Sequence, residues 1–260
     1  MNALILAAGY GSRLAGIAPV KPLAEVAGTA LLEWSVRQAA AVGALRAVVV
    51  TGHGAEAVEA QLPKMAARTG VRLEPCRLAD WSRPNGYSVM AGAARISGNY
   101  LLLMADHLFV AGLLAELMQA MAQRAGAVLA IDRSVIAPTI DPADATWVQR
   151  RANGQIARIG KHLAVYNAVD CGAFIATPDL AIAIAEAIAE GAPGSLSDGM
   201  QWLADRNLAT TVDVTGHGWI DVDDPQMLAL AERIAPEFLP ALSAPPAMPV
   251  PAERPMQAAA

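Results

Sequence analysis

A glycine-rich segment after the first apolar run of the chain has the residue types needed to bind phosphate. Gly9 and Gly11 carry no Cβ, so backbone N–H groups can approach an anion there, and the forked guanidinium of Arg13 suits phosphate oxygens. Lys21 adds a second cation nearby. The dinucleotide-binding glycine pattern is excluded because Leu14 replaces its third glycine. The segment therefore predicts a triphosphate cradle or, on the glycine spacing alone, a tight strand-to-helix turn beside a solvated arginine.

Two groups of aspartates offer oxygen ligands for a metal ion. Asp106 ends a strand-length apolar run, where an unpaired charge would be costly, and Asp221 and Asp223 alternate along an extended segment so that both point the same way. Mg²⁺ prefers oxygen ligands and usually takes one or two carboxylates together with substrate phosphates. These aspartates therefore predict a magnesium site, in which Asp223 is a candidate for a second ion or for the acceptor. The alternative is that Asp224 caps a helix before Pro225 and that the other acids are surface charges.

The elements that must position these residues are predicted by alternating strand-length and helix-length segments. Apolar residues at helical spacing predict helices over about 30–42 and around Leu113, Leu117 and Met121. Buried strands that alternate with helices predict an α/β fold, a three-layer sandwich with a mainly parallel twisted sheet. Ligands bind such sheets beyond the carboxyl ends of the strands, which places the site after Ala8, Thr51 and Ala105. The apolar runs predicted as strands are Ala3–Ala8, Ala47–Thr51, Tyr100–Ala105, Ala127–Ile131, Cys171–Ala176 and Ala209–Val214.

Composition limits the class of protein. The 260 residues are 55% hydrophobic and 17% charged, which predicts one domain over residues 1–235 and a proline- and alanine-rich, disordered tail over 236–260. No apolar stretch approaches the roughly 20 residues that span a bilayer, and the start lacks the basic residues of a signal peptide, so we expect a cytoplasmic protein without membrane insertion. The net charge of −5 provides no overall field for nucleic acid. The polar stretch Pro138–Asn153 is predicted to be an excursion between sheet elements.

The spacing between the glycine segment and Lys21 resembles the signature of nucleotidyltransferases with a GT-A-like fold. Residues 6–14 read Leu-Ala-Ala-Gly-Tyr-Gly-Ser-Arg-Leu and are followed by Lys21-Pro22-Leu23. The resemblance implies that a phosphorylated alcohol or sugar is joined to a nucleoside triphosphate, with Arg13 and Lys21 as the catalytic cations. It also implies that Asp106 and Asp221 hold Mg²⁺. The implied nucleotide-binding residues are Leu6, Ala7, Ala8, Gly9, Gly11, Ser12, Asn85, Gly86, Ser88 and Met104.

Further motifs resemble the CTP:inositol-1-phosphate cytidylyltransferase family over about residues 1–235. This resemblance implies that CTP and inositol 1-phosphate react to give CDP-inositol and pyrophosphate, with Mg²⁺ as the cofactor. It implies that Lys161 binds the acceptor phosphate and that Asp170, Asp132 and Arg133 face the cyclitol hydroxyls. Some members are fused to a membrane-embedded CDP-alcohol phosphotransferase, so we expect a separate membrane enzyme of that kind to act downstream. The motifs are Asn85-Gly86-Tyr87-Ser88, Met104-Ala105-Asp106-His107, Asp132-Arg133, Gly160-Lys161, Val169-Asp170-Cys171-Gly172 and Trp219-Ile220-Asp221-Val222-Asp223.

Other interpretations of the same residues stay open. Ser88 can instead cap a helix, Lys161 can be a solvated turn residue, and Asp170 can be a charge at a strand edge. The acceptor can be another sugar 1-phosphate or phosphocholine, and the chain can be a nucleotide-binding regulator without catalysis. The choice of cytosine over uracil rests on the resemblance. Side chains predicted to be structural, peripheral or packing groups are His53, His107, His162, His217, Tyr87, Trp81 and Trp219.

Overall fold

The computed structural model describes residues 1–110, 112–120, 126–137 and 139–239. Each apolar run predicted as a strand forms one, and the helix predicted over about 30–42 is present. Within the described ranges the strands are β1 (Asn2–Ala7), β2 (Glu25–Val26), β3 (Thr29–Ala30), β4 (Arg46–Thr51), β5 (Arg72–Arg77), β6 (Tyr100–Met104), β7 (His107–Phe109), β8 (Ala127–Asp132), β9 (Trp147–Arg150), β10 (Ile156–Gly160), β11 (Ala168–Ala176), β12 (Ala209–Asp213) and β13 (Trp219–Asp221). The helices are α1 (Leu31–Ala41), α2 (Ala55–Thr69), α3 (Gly86–Ala93), α4 (Leu113–Gln119), α5 (Asp179–Ala189), α6 (Leu196–Asp205) and α7 (Pro225–Phe238), and a 3-10 helix spans Lys21–Leu23.

The central sheet brings the predicted loops to one edge. In the described part of the chain its strand order is β10-β9-β11-β6-β1-β4-β5, with β8 beside β11 and β12 beside β8. Strands β6, β1, β4 and β5 are parallel neighbours, and Leu6 of β1 lies opposite both Val50 of β4 and Met104 of β6. Their carboxyl ends therefore lie together, which places the glycine segment after β1 beside Asp106 after β6.

Helices cover both faces of this sheet. Ile5 of β1 packs in a core shared with α1, α2 and α4, whereas its neighbours Leu4 and Leu6 pack in a core shared with α3, α5 and α6. Because both faces of the strands are buried, the strands carry continuous apolar runs and not an alternating pattern. The predicted three-layer α/β sandwich is confirmed.

Strand β11 gives the sheet a mixed character. It pairs antiparallel with β6, β8 and β9, and β9 pairs antiparallel with β10. The predicted parallel arrangement is thus found around β1, and the antiparallel part around β11 was not predicted, because an apolar run indicates burial but not direction. The stretch Pro138–Asn153 is more than the predicted excursion, since it contains β9; Pro138 itself lies outside the described residues.

A two-stranded sheet and α7 adjoin the carboxyl edge. Strand β7 pairs antiparallel with β13, so that His107 lies opposite Asp221. The predicted capping role of Asp224 is confirmed, because its carboxylate accepts hydrogen bonds from the N–H groups of Gln226 and Met227 at the start of α7. The two strands and α7 share a third apolar core, which holds this pairing against the rest of the molecule.

The predicted tail and part of one predicted helix lie outside the described residues. Helix α7 continues to Phe238, past the predicted domain boundary at residue 235, and residues 240–260 of the predicted tail are outside the described ranges. Helix α4 carries Leu113 and Leu117, whereas Met121 lies outside. Among the described helices, none combines the length and apolar character needed to cross a bilayer.

Candidate active site

The glycine segment after β1 lines a cavity together with the end of β6. Gly11 has a φ of +61°, and a Cβ built on it would lie 2.5 Å from the Cβ of Lys21. The lysine side chain therefore packs directly against the glycine backbone, a contact that is possible only because glycine has no Cβ. This glycine-loop cavity is lined by Leu6, Ala7, Gly9, Gly11, Ser12, Arg13, Lys21, Pro22, Ala105, Asp106, Asp144 and Asp223. Of the predicted loop residues, Ala8 does not line it; its carbonyl accepts a hydrogen bond from the N–H of His53.

Lys21 is a buried cation among carboxylates. Its ammonium lies 2.5 Å from a carboxylate oxygen of Asp106 and also contacts Asp223. Burial opposes its charge, but the carboxylates of Asp106, Asp221 and Asp223 outweigh burial and raise the pKa of Lys21 above its usual value. The lysine is therefore a permanent positive charge at the floor of the cavity.

The aspartate cluster, defined as Asp106, Asp144, Asp221 and Asp223, joins segments far apart in the chain. Oxygens of Asp144, Asp221 and Asp223 lie within 4.8 Å of one another, and so do ligand atoms of Asp106, His107 and Asp221. The β7–β13 pairing brings Asp221 close to Asp106. The sequence analysis assigned both residues to one Mg²⁺ ion, which requires this proximity. The two groups meet at Asp221, which belongs to both.

Crowding of negative charge shifts the acid–base properties of the aspartate cluster. Burial, followed by the neighbouring carboxyls of Asp144 and Asp221, raises the pKa of Asp223 to about 8. Burial likewise raises the pKa of Asp221. Asp106 shows the opposite shift: Lys21 and the hydrogen bond from His107 overcome its burial and lower its pKa. At Asp221 and Asp223, burial and neighbouring carboxyls thus outweigh the nearby cations, and a further cation beside these two residues would stabilise their charged forms.

A buried oxygen without a hydrogen bond supports the fit of the cluster to a divalent metal ion. Oδ1 of Asp221 is buried and, within the described residues, has no hydrogen-bond partner, although Nδ1 of His107 lies 3.7 Å away. A buried carboxylate oxygen without a hydrogen bond is costly, and a metal ion would reduce that cost. Oxygen ligands are those that Mg²⁺ and similar hard cations prefer. The donor set therefore fits a hard divalent cation, the class to which the predicted Mg²⁺ belongs.

His107 belongs to this site, although the sequence placed it among structural or peripheral groups. Its Nδ1 lies 2.9 Å from Asp106 and 3.7 Å from Asp221. Burial opposes protonation, yet Asp221 and Asp106 raise the pKa of His107 to about 9, so the imidazole carries a positive charge near neutral pH. Gly172 has a φ of +78°, and a Cβ there would lie 2.4 Å from this ring. The one sequence signal for His107 was its position directly after Asp106.

A second cavity opens on the other side of the aspartate cluster. It is bordered by Lys161, Asp170, Asn85 and Met104, all of which the sequence predicted as binding residues, and it includes the whole aspartate cluster. We refer to it as the Lys161 cavity. Burial raises the pKa of Asp170 to about 6. The N–H of Gly172 donates a hydrogen bond to the Asp170 carboxylate at 2.7 Å and opposes this rise. The two cavities thus share Asp106, Asp144 and Asp223 as a common wall.

Two predicted base-binding residues do not border either cavity. Gly86 packs against the backbone of the loop before α6, where a Cβ would lie 2.3 Å from the carbonyl oxygen of Gly194. Ser88 is buried within α3, two residues after its start at Gly86, so the alternative that Ser88 caps the helix is also wrong. Asn85 is the residue of this motif that reaches the Lys161 cavity, and its Oδ1 accepts a hydrogen bond from the N–H of Leu196.

Asp132 and Arg133 also lie outside both cavities. Both carboxylate oxygens of Asp132 have partners: Oδ1 accepts from the N–H of Ser134 at 2.7 Å, and Oδ2 accepts from the indole N–H of Trp219 at 3.1 Å. Arg133 is exposed and lies 3.8 Å from Asp213. The structure therefore gives Asp132 a packing partner in place of the predicted substrate hydroxyls, because its side chain points towards Trp219.

The aromatic residues predicted to pack do so. The ring of Trp219 stacks on His107 with centroids 6.1 Å apart, so Asp132, Trp219 and His107 form a chain of contacts that ends at the aspartate cluster. Tyr87 contacts the guanidinium of Arg83, and Trp81 packs against His53.

Asp144 is a cavity residue that the sequence did not reveal. It lies in the segment between β8 and β9, contacts Lys161, and accepts a hydrogen bond from Arg13 at 2.6 Å. None of the sequence motifs includes this residue, and it lies in the polar stretch that was predicted to be an excursion between sheet elements.

Comparison with other proteins finds curated relatives that match most of this chain. The chain is 34% identical over 237 residues to the bifunctional IPC transferase and DIPP synthase of Rubrobacter xylanophilus, a match that covers 90% of this chain and 52% of that protein. A protein of the same name from Aquifex aeolicus is 28% identical, with 89% of this chain and 51% of that protein covered. The chain spans about half the length of these curated relatives.

The fold matches a solved structure over nearly its full length. The inositol-1-phosphate CTP transferase from T. maritima superposes with a TM-score of 0.82 at 21% identity, covering 94% of this chain and 98% of that chain. The nucleotidyltransferase fold predicted from the sequence is thereby confirmed. Residues 3–159, which include the glycine segment, Lys21 and Asp106, match the MobA-like NTP transferase domain. The chain therefore belongs to the MobA-like NTP transferase family.

Proposed function

We propose that this chain is a cytidylyltransferase that joins CTP and inositol 1-phosphate and releases pyrophosphate, giving CDP-inositol. The observation that carries the proposal is that the glycine-loop cavity and the Lys161 cavity meet at one aspartate cluster. Such an arrangement suits a reaction between two phosphorylated substrates that share a metal ion. The names of the relatives, IPC transferase and inositol-1-phosphate CTP transferase, support the choice of substrates.

The reaction forms one bond and breaks another at the α-phosphorus of CTP. An oxygen of the acceptor phosphate attacks that phosphorus in line, and the bond to the pyrophosphate oxygen breaks, so that pyrophosphate leaves. A phosphate monoester loses its second proton near pH ~6, so the attacking oxygen is anionic near neutral pH. The reaction therefore needs no general base from the protein and no covalent intermediate.

The protein has to reduce the repulsion between two polyanions. We assign Arg13 and Lys21 to the triphosphate and Lys161 to the acceptor phosphate, because these cations border the two cavities on opposite sides of the aspartate cluster. Asp170 is the residue assigned to the hydroxyls of the acceptor. A carboxylate can accept hydrogen bonds from neighbouring hydroxyls, and a site built for those bonds rejects acceptors that lack them.

We assign Asp106 and Asp221 to a Mg²⁺ ion, with Asp223 as a further oxygen donor. The ion, when bound, would neutralise phosphate charge and fix the phosphates in position. His107 holds the Asp106 carboxylate in place through its hydrogen bond, and Lys21 holds the opposite oxygen. The membrane CDP-alcohol phosphotransferase expected to use the product and the cytoplasmic location are further parts of the proposal.

Gly11→Ala is expected to weaken binding of the nucleoside triphosphate at least about tenfold, because the new Cβ collides with Lys21 and strains a left-handed backbone by roughly 1–2 kcal/mol. The measurement is the Kd of CTP by titration calorimetry. Gly28→Ala is the matched control, since Gly28 has a φ of +68° and open space around its Cβ position. A Kd that changes equally in both variants would show that backbone strain alone is responsible.

Lys161→Ala is expected to raise the KM for inositol 1-phosphate about ten- to a hundredfold and to change the KM for CTP much less, because a charge-assisted hydrogen bond to phosphate contributes about 1.5–3 kcal/mol. Initial rates of pyrophosphate release, with each substrate varied in turn, provide the measurement. Arg158→Ala removes an exposed cation of β10 and is the control. If both KM values rise equally, Lys161 does not act on the acceptor.

A substrate panel tests the whole proposal. The purified protein is supplied with Mg²⁺ and with each of CTP, UTP, GTP and ATP, against inositol 1-phosphate, glucose 1-phosphate, N-acetylglucosamine 1-phosphate and phosphocholine. Pyrophosphate release is measured and the product mass is determined. CDP-inositol as the preferred product supports the proposal, a different nucleotide sugar reassigns the acceptor, and nucleotide binding without pyrophosphate release indicates a regulator.

A further inference from the structure

Asp144 occupies a fixed place between the two cavities. It lies three residues before β9, and Trp147 at the start of β9 pairs with Gly160 at the end of β10. Lys161 follows Gly160 directly, so the β9–β10 register sets Asp144 and Lys161 at the same end of one hairpin. A hydrogen bond to β11 also fixes this segment, because the carbonyl oxygen of Thr146 accepts from the N–H of Asp170.

From this place Asp144 connects the cations of both cavities. One carboxylate oxygen accepts a hydrogen bond from the guanidinium of Arg13 at 2.6 Å, and the other contacts the ammonium of Lys161. Arg13 borders the glycine-loop cavity, and Lys161 borders the other cavity. A single carboxylate therefore contacts one cation from each side. Arg13 also pairs with Asp223 at 2.5 Å and with Asp141 at 3.3 Å, but neither of these pairs extends to Lys161.

We propose that Asp144 couples the binding of the two substrates, an inference that rests on the proposed function. A substrate phosphate that binds Arg13 competes with Asp144 for the same N–H groups and displaces it. The two oxygens belong to one rigid carboxylate, so a rotamer that moves one oxygen away from Arg13 and from the bound phosphate also moves the other away from Lys161. The ammonium is then free to bind the acceptor phosphate. The same steps run in the opposite direction when the acceptor binds first.

Coupling of this kind is reciprocal and of limited size. The nucleotide increases the affinity for the acceptor by the same factor by which the acceptor increases the affinity for the nucleotide. Side chains of Arg13 and Lys161 are 41% and 51% exposed, so water screens both ion pairs. We therefore expect a factor of about five, near the lower end of the usual range for coupled sites.

A competing role for Asp144 is that of a metal ligand, because one of its oxygens lies within 4.8 Å of oxygens of Asp221 and Asp223. The two roles predict opposite effects of Asp144→Asn. Loss of a metal ligand weakens binding of Mg²⁺ and of the nucleotide with it. Loss of a competing carboxylate strengthens nucleotide binding and leaves Mg²⁺ binding nearly unchanged.

The test uses the α,β-methylene analogue of CTP, in which the bond that would break is replaced. Its Kd is measured by titration calorimetry with Mg²⁺, with and without saturating inositol 1-phosphate, for the unmodified protein, Asp144→Asn and Asp141→Asn. Asp141 contacts Arg13 at 3.3 Å on the same segment, which makes it the matched control. Thermal melting confirms that the variants are folded, and titration with Mg²⁺ alone reports the metal site.

The expected result is an analogue Kd about fivefold lower in the presence of the acceptor for the unmodified protein and for Asp141→Asn. In Asp144→Asn the analogue alone binds several-fold more tightly, and the acceptor no longer changes its Kd. Retained coupling in Asp144→Asn, or weakened Mg²⁺ binding together with weaker nucleotide binding, would overturn the inference. Pyrophosphate release by the unmodified protein from CTP and inositol 1-phosphate is measured in parallel; its absence refutes the proposed function instead.

Discussion

Asp221→Asn is expected to lower the rate of pyrophosphate release at least about 1,000-fold, because loss of the metal's charge stabilisation is worth several kcal/mol in the transition state. The substitution leaves the β7–β13 pairing intact, since that pairing uses backbone groups, and it reduces like-charge crowding with Asp106 and Asp223. The variant should therefore fold normally, with a melting temperature equal to or above that of the unmodified protein in the absence of divalent cations.

The change is measured as kcat at saturating CTP, acceptor and Mg²⁺, with Mg²⁺ affinity determined separately by calorimetry. Asp213→Asn makes the same change of charge outside both cavities, where the carboxylate accepts a hydrogen bond from the hydroxyl of Thr215, and should retain nearly full activity. Asp106→Asn should behave like Asp221→Asn. A rate within tenfold of normal in both cluster variants would refute the assigned metal site.

Lys21→Met is expected to lower kcat by about 100- to 10,000-fold, because it removes a preorganised positive charge beside the reacting phosphates. It also removes the buried ion pairs of Lys21 with Asp106 and Asp223, which keep only His107 and Arg13 as charged partners. Breaking a buried ion pair costs up to about 3–5 kcal/mol of folding stability. Saturating Mg²⁺ should restore part of that stability, since the ion binds the same carboxylates.

Kinetics and thermal melting of Lys21→Met, each with and without Mg²⁺, provide the measurement. The exposed Lys64 on α2 provides the control, since Lys64→Met removes an equal charge far from the aspartate cluster and should change neither property. If Lys21→Met keeps kcat but raises the KM for CTP, the lysine serves ground-state binding and not the transition state.

The strands that could be predicted from the sequence are those marked by a continuous run of apolar residues. Strands β1, β4 and β6 are buried on both faces by helices, which requires apolar residues at every position, so their runs are visible in the sequence. Strand β5 begins and ends with exposed arginines, and β7 and β13 are three residues each, so no run marks them. The antiparallel direction of β11 depends on its partners, which its own residues do not encode.

The site residues likewise divide into those that the local sequence identifies and those that depend on contacts between distant segments. Gly11 and Lys21 are required by a close backbone approach, and Asp106 lies two residues after a buried strand, so type and position identify them locally. Asp144 acquires its place from the β9–β10 register, which no local pattern reports. Asp132 follows an apolar run just as Asp106 does, yet its side chain meets Trp219, a contact made between distant segments.

The β7–β13 pairing has a consequence for the order in which the molecule is completed. The glycine segment, Lys21 and Asp106 belong to the first half of the chain, but Asp221 and Asp223 are among the last residues of the described fold. During synthesis on the ribosome, which proceeds from the amino terminus, the glycine segment emerges long before Asp221 and Asp223. A nascent chain therefore passes through an interval in which it presents the segment assigned to the triphosphate without the complete aspartate cluster. The proposed activity can begin only after β13 has paired with β7.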